Sequence, residues 1–216
     1  MPAPTAQPLE GLATAALQGA GLRGRNIPDL AKALAQATSQ ALTLFLGMAM
    51  VLPGTAAGVD PITGSGAVAG PGRLAPPPAG GPGAQQLEGL TLAALQAQGL
   101  RGENIPDLAK AVAASLAQAI LMFTSQVMVT PGVAVAGFVT VAPGTLMPPA
   151  PGKAQLEPLV SGFVMQNGLR GQDAPALAGA LADFIAQSLT LLVAQAMVAP
   201  GVACTPAATA APGRLM

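Results

Sequence analysis

A mainly α-helical fold is predicted, made of three tandem helix-turn-helix repeats with short β-like arms arranged around a pseudo-threefold axis. Three observations predict it. A 46-residue block occurs three times without a gap. Each copy holds a Gly-rich turn followed by an Asn- or Asp-led helix start. Each copy is followed by a tail that is flanked by Pro-Gly pairs and ends alike. A fixed internal period outranks local propensity as a guide to architecture, because a unit that cannot bury its own apolar face must stack on its neighbours.

The repeat is read directly from the residues. Leu9-Glu10 recurs as Leu87-Glu88 and Leu156-Glu157, and the turn Gly21-Leu22-Arg23-Gly24 recurs at 99–102 and 168–171. Pro28 corresponds to Pro106 and Pro175, and Pro53-Gly54 to Pro131-Gly132 and Pro200-Gly201. The spacings are 78 and then 69 residues throughout, and 28 of 46 positions are identical between the first two copies. The third copy has diverged further, with Gly179 where the others have Lys32 and Lys110. The tails end Pro71-Gly72-Arg73-Leu74, Pro143-Gly144-Thr145-Leu146 and Pro212-Gly213-Arg214-Leu215. The expected organisation is therefore unit 1 at 1–74, unit 2 at 86–146 and unit 3 at 154–216, joined by Pro/Gly linkers at 75–85 and 147–153.

Within a unit, Leu9, Leu12, Ala16 and Leu17 recur at helical spacing, and Gly21 is a helix-terminating glycine. Asn26-Ile27-Pro28-Asp29 then predicts a second helix start, with Asn as cap, Pro presetting φ and Asp at the positive dipole end. This long helix is expected over about 28–51, with copies at about 106–129 and 175–198, broken at Pro53. It is apolar nearly all round, as a helix buried on every side would be. The tail 133–141 is β-branched and suggests a short strand or hairpin arm. The matching tails are Ala-, Thr- and Gly-rich, and the first is six residues longer.

Composition narrows the functional classes. Hydrophobic residues make up 51% of the 216, charged residues 8%, and nine acids balance nine bases. A typical globular chain carries about 25% charged residues. So little charge does not keep copies apart in water, which implies a surface covered by protein or lipid. Nucleic acid is not an expected partner, since there is no basic cluster and no Tyr or Trp to stack on bases. The N-terminal residues lack the basic stretch and apolar run of a signal peptide, so a particle assembled in the cytoplasm is expected.

Catalytic machinery is not expected. Without histidine the commonest general base and metal ligand is missing, and one cysteine cannot form a thiolate cluster. No cofactor, metal or small-molecule substrate is expected. Asp60 reads as a turn residue before Pro61 and Cys204 as a small buried hydrophobe. Asp183, aligned with Gln36 and Ala114, stands alone in an apolar helix, either facing a polar neighbour or water, or serving as an inter-subunit or ion-path charge.

The recurring polar residues are assigned structural roles. Glu10, Glu88 and Glu157 are expected to pair with Arg23, Arg101 and Arg170, or the arginines to cap helix carbonyls, tying the two helices of each unit. Gln40, Gln118 and Gln187 are expected to hydrogen-bond across helices. Met50, Met128 and Met197 share one slot near the end of the long helix. The function expected is a non-catalytic structural subunit of a large symmetric particle, such as a phage-like tail, baseplate, capsid or shell, contacting other protein subunits. The alternative is a small integral membrane protein whose three apolar helical units form a scaffold or pore, since 111–129 is free of charge. A soluble carrier enclosing an apolar ligand is the third reading.

Overall fold

The computed structural model describes residues 3–76 and 81–216, so the part of the 75–85 linker at 77–80 lies outside the described residues. The fold is mixed but mainly helical, with small antiparallel sheets. Its helices alternate short and long: α1 (Ala6–Gly19), α2 (Ile27–Met48), α3 (Ala84–Ala97), α4 (Ile105–Gln126), α5 (Lys153–Gln166) and α6 (Ala174–Gln195). The short ones have 14 residues and the long ones 22.

Each short helix stops where the sequence supplies a residue able to take positive φ. Gly21, Gly99 and Gly168 adopt φ of 80°, 75° and 77°. The amide of Gly21 then donates to Gln18 O and that of Leu22 to Leu17 O, so the turn uses carbonyls the helix leaves free. The expected cap at the next helix does not form. Asn26, Asn104 and Asp173 sit in the right-handed helical region with no side-chain cap bond. The turn backbone does that work instead, with Ile27 N donating to Gly24 O and Leu30 N to Asn26 O.

The long helices end about three residues earlier than expected. Ala49, Val127 and Ala196 turn extended, with ψ of 131°, 135° and 139°. Met50, Met128 and Met197 therefore begin strands and do not end helices. Proline two residues beyond the valine disfavours helix in the residue before it. The strands are β1 (Met50–Val51), β2 (Ala57–Val59), β3 (Gly66–Val68), β4 (Gly72–Arg73), β5 (Met128–Val129), β6 (Ala134–Ala136), β7 (Val139–Thr140), β8 (Gly144–Met147), β9 (Met197–Val198) and β10 (Gly213–Arg214). The linkers are shorter than expected, since α3 begins at Ala84, β8 runs to Met147 and α5 begins at Lys153.

The helices form a closed circuit. Each packs on the next in sequence, and α6 returns to α1, while α2, α4 and α6 also touch one another at the centre. One continuous core results, running from Leu9, Ala13 and Leu17 through Leu34, Leu42 and Phe45 to Leu116, Ile120, Phe123, Leu181 and Leu189. Phe45 and Phe123 meet edge-to-face with ring centroids 5.7 Å apart, and the aligned residue of α6 is Leu192, fully buried. Many of the core positions are alanine, whose small side chain lets helices approach closely.

Candidate functional site

The tails, which the sequence marks only faintly as strands, are hydrogen-bonded into paired strands at every junction between the repeats. The Gly-Arg-Leu end of the first tail forms β4, which pairs with β5 of the second unit (Gly72↔Val129, Arg73↔Met128). The second tail, β8, pairs with β9 of the third unit (Gly144↔Val198, Thr145↔Met197). The third, β10, pairs with β1 of the first (Met50↔Arg214, Val51↔Gly213). Each tail also pairs with the strand of its own unit, through Val51↔Leu74, Val129↔Leu146 and Val198↔Leu215. Six short strands thus close into a ring, in the order β1, β4, β5, β8, β9, β10 and back to β1.

Alternation along each strand sorts the side chains. Gly72, Gly144 and Gly213 face inward with Leu74, Leu146 and Leu215, while Arg73, Thr145 and Arg214 face out. The inward glycines have a packing reason. A Cβ on Gly72 would come within 3.0 Å of Val51 Cγ1, on Gly144 within 3.0 Å of Val129 Cγ1, and on Gly213 within 2.9 Å of Val198 Cγ1. The leucines join Val51, Val129 and Val198 in closing the floor of the helical core.

Beyond this ring the arms form a second one. β2 and β3 make one hairpin, β6 and β7 another, and β3 pairs with β6. Bridges at Val139↔Ala203, Cys204↔Thr209 and Ala56↔Ala208 continue the circuit through the third arm and back to the first. Thr140 Oγ1 accepts from Val202 N, and Thr209 Oγ1 accepts from Thr55 N, both at 3.0 Å. Between the rings lies a cavity of 40 Å³, lined mainly by Val51, Val129, Val198, Val68, Val133 and Val202. Ligand pockets run to about 300 Å³ and above. This space fits one or two waters, so it gives no support to an apolar-ligand carrier.

Asp60 and Cys204 are both accounted for locally. Asp60 Oδ1 accepts from Ile62 N at 2.7 Å and Thr63 N at 2.8 Å, and these two amides, Thr63 foremost, hold its carboxyl below the usual carboxylate range. The turn raises Ile62 at the tip of the longest arm, 90% exposed. Cys204 is buried among Ala57, Val59, Val68 and Val135, and burial pushes its thiol up, away from nucleophilic use.

The structure does not join the expected Glu–Arg ties. Among the described residues the one ion pair is Lys110 Nζ with Asp107 Oδ1, at 3.9 Å on the surface of α4. About 14 Å of helix separates Glu10 from the end of α1, where the turn carrying Arg23 begins. Glu88 stands in the same relation to Arg101, and Glu157 to Arg170. All three arginines are exposed, and none makes a side-chain hydrogen bond among the described residues. Nor do Gln40, Gln118 and Gln187 bond across helices, Gln40 being exposed and the other two half-buried. The amides that do cross between helical units are Gln98 to Gln36, at 3.2 Å, and Gln126 to Gln155, at 3.4 Å. Gln36 and Gln98 are not repeated in kind along the sequence, and Gln126 and Gln155 recur only as Gln195 and Gln86, which belong to different junctions, so no pair is repeated as a pair. Asp183 is half-buried and has no side-chain hydrogen bond. Among the described residues no cluster of three metal-ligating side chains occurs. No protein-family model, curated protein or solved structure matches the chain.

Proposed function

We propose that the protein is a non-catalytic structural subunit, a single-chain pseudo-trimer whose three repeats surround a pseudo-threefold axis and which occupies a threefold position in a larger protein particle. The observation that carries this reading is the repeated strand seat. At all three junctions a Gly-x-Leu tail lies between the Met-Val strand of its own unit and that of the next. The result is a closed body whose strand amides and carbonyls are used in holding its own parts together.

The charge distribution supports the same reading. The three arms at 53–70, 131–142 and 200–211 contain one charged residue, Asp60, while Arg23, Arg25, Arg101, Glu103, Arg170 and Asp173 lie at the helical turns. The arms are thus almost free of charge, with the outward-facing Arg73 and Arg214 at their base, and they carry the exposed Ile62, Val139 and Val141. Charge depletion with exposed apolar side chains is the composition of a protein contact surface. The test is to purify the chain from its own cells without detergent and size it. Recovery in a large aqueous complex supports the proposal; a monomer that requires detergent overturns it.

The membrane reading keeps one observation in its favour. α4 and α6 are long and apolar enough to cross a bilayer, with mean hydropathy of 1.4 and 1.7 in their most apolar stretches. Against it, 61% and 56% of those stretches are buried against the protein's own helices. The same experiment separates the two readings.

A further inference from the structure

We propose that Ile62, at the tip of the first arm, docks into an apolar groove between α4 and α5 of a second copy of this chain, so that copies associate head to tail. The inference rests on the structural-subunit reading and names a partner and a contact surface for it.

The knob and the groove are both departures from the threefold repeat. The six residues by which the first tail exceeds the others are 60–65, the turn joining β2 to β3, where the second arm passes from β6 to β7 through Gly137 and Phe138 alone. Ile62 therefore has no counterpart in units 2 and 3. The groove, of 440 Å³, is lined by Ala114, Ala117, Gln118 and Leu121 of α4, by Phe163 of α5 and by the segment 81–84, none of them charged. Unit 1 has Gln36 and Thr43 in place of Ala114 and Leu121, and unit 3 has Asp183 and Thr190. Both have an alanine, Ala94 or Ala16, aligned with Phe163. The apolar version of this groove thus occurs once per chain, as the knob does.

A single exposed apolar side chain is ordinary on a protein surface. Ile62 differs in how it is presented. Asp60 Oδ1 accepts from the amides of Ile62 and Thr63, Asp60 N donates to Ser65 O at 2.9 Å, and Gly64 N donates to Asp60 O at 2.9 Å. The turn also rests on the second arm. Phe138 N donates to Gly64 O at 3.1 Å, and a Cβ on Gly64 would stand 2.8 Å from Phe138 Cδ2. The tip is therefore held in one shape before anything binds, so docking has little chain to order. Burying Ile62 leaves neither its own amide nor that of Thr63 without an acceptor.

Within one molecule the two features do not meet. Ile62 is 90% exposed and is not among the residues lining the groove, where Leu121 is itself 40% exposed. A knob and a groove at different places on the same surface make a heterologous contact. Each copy offers one of each, so association runs head to tail into a ring or a filament. With nine acids and nine bases, copies approach without net repulsion.

The experiment uses the purified full chain over a range of concentrations, with mass read by light scattering and refractive index because the chain has no Tyr or Trp. The knob variant is Ile62→Glu. The groove variant is Ala114→Gln with Leu121→Thr, which installs the residues that unit 1 carries at Gln36 and Thr43 and so keeps side chains the fold already accepts. Circular dichroism checks that both retain their helix content. The mass of the unaltered chain is expected to rise with concentration, and each variant to need roughly tenfold more protein or beyond to associate. Mixed in equal amounts, the two variants retain between them one intact knob and one intact groove, and are expected to form dimers and nothing larger. An unaltered chain that stays monomeric at every concentration, a variant that associates as the unaltered chain does, or a mixture without dimers overturns the proposal. A monomeric chain would leave the structural-subunit reading standing, since that is judged by the size of the complex recovered from the protein's own cells.

Discussion

Gly213 lies so close to Val198 that a β-carbon on the glycine would stand 2.9 Å from Val198 Cγ1, with Val202 Cγ2 at 3.2 Å and Val51 Cβ at 3.4 Å. All three neighbours are β-branched, with stiff χ1, so none can turn aside cheaply. Gly213→Ala is expected to cost about 1–3 kcal/mol, as overpacking does. Gly11→Ala, in an exposed position on α1 with nothing within 4 Å, is the control and is expected to be neutral or stabilising by up to about 1 kcal/mol. Urea unfolding followed by far-ultraviolet circular dichroism compares them. Equal stabilities would show that the strand seat does not demand glycine.

Thr38 carries the one buried side-chain oxygen among the described residues that has no hydrogen-bond partner. It aligns with Leu116 and Ile185, both in the central core. Ser188, also buried, by contrast donates to Phe184 O at 2.7 Å. Thr38→Val keeps the shape and removes the unpaired hydroxyl, so stability is expected to rise by about 1–2 kcal/mol. A loss on substitution would mean that the hydroxyl has a partner, such as a buried water.

Val68 occupies in the first arm the place of Thr140 and Thr209 in the others, where each hydroxyl accepts from a backbone amide at 3.0 Å. Val68→Thr offers the amide of Val133 the same acceptor. The substitution is expected to be neutral to stabilising by about 1 kcal/mol, whereas Thr140→Val and Thr209→Val should each cost about as much. Slowed hydrogen exchange at Val133 N in the variant is the direct check.

Asp60 links the long arm to pH. Its carboxyl is lowered because Thr63 N and Ile62 N donate to the charged form. A depressed carboxyl contributes order that is present above its ordinary value, near 3.8, and lost as pH falls through the lower folded value. The amide signals of Ile62 and Thr63 are expected to titrate together with an inflection below 3.8, leaving the helices unaffected. Asp60→Asn should abolish that titration. An inflection at the ordinary value would show that the turn does not hold its hydrogen bonds in solution.

The helices were legible because their signals are local: glycine at 21, 99 and 168, and an apolar run stopped before Pro53, Pro131 and Pro200. The mainly helical class follows from them. The strands were faint for the opposite reason. β1, β5 and β9 are two residues each, too short for alternation to show, and their partners lie far along the chain. A Gly-Arg-Leu tail looks like a loop until Val129 or Val51 is placed beside it. The polar assignments went astray on geometry that repetition hides. Glu10 and Arg23 recur together at a fixed spacing, yet the helix between them keeps them apart. Gln36 and Gln98, which do meet, share no periodic signature.

The two strand rings have a consequence for handling so apolar a chain. A two-residue strand with a bare side would present unpaired amides and carbonyls to any passing polypeptide, and eight per cent charged residues is little electrostatic defence against the resulting amyloid-like stacking. Because each circuit returns to its start, neither ring leaves a free edge to act as a template. The chain's protection against misassociation is thus topological rather than electrostatic, and its solubility should respond weakly to salt and strongly to any substitution that breaks a circuit.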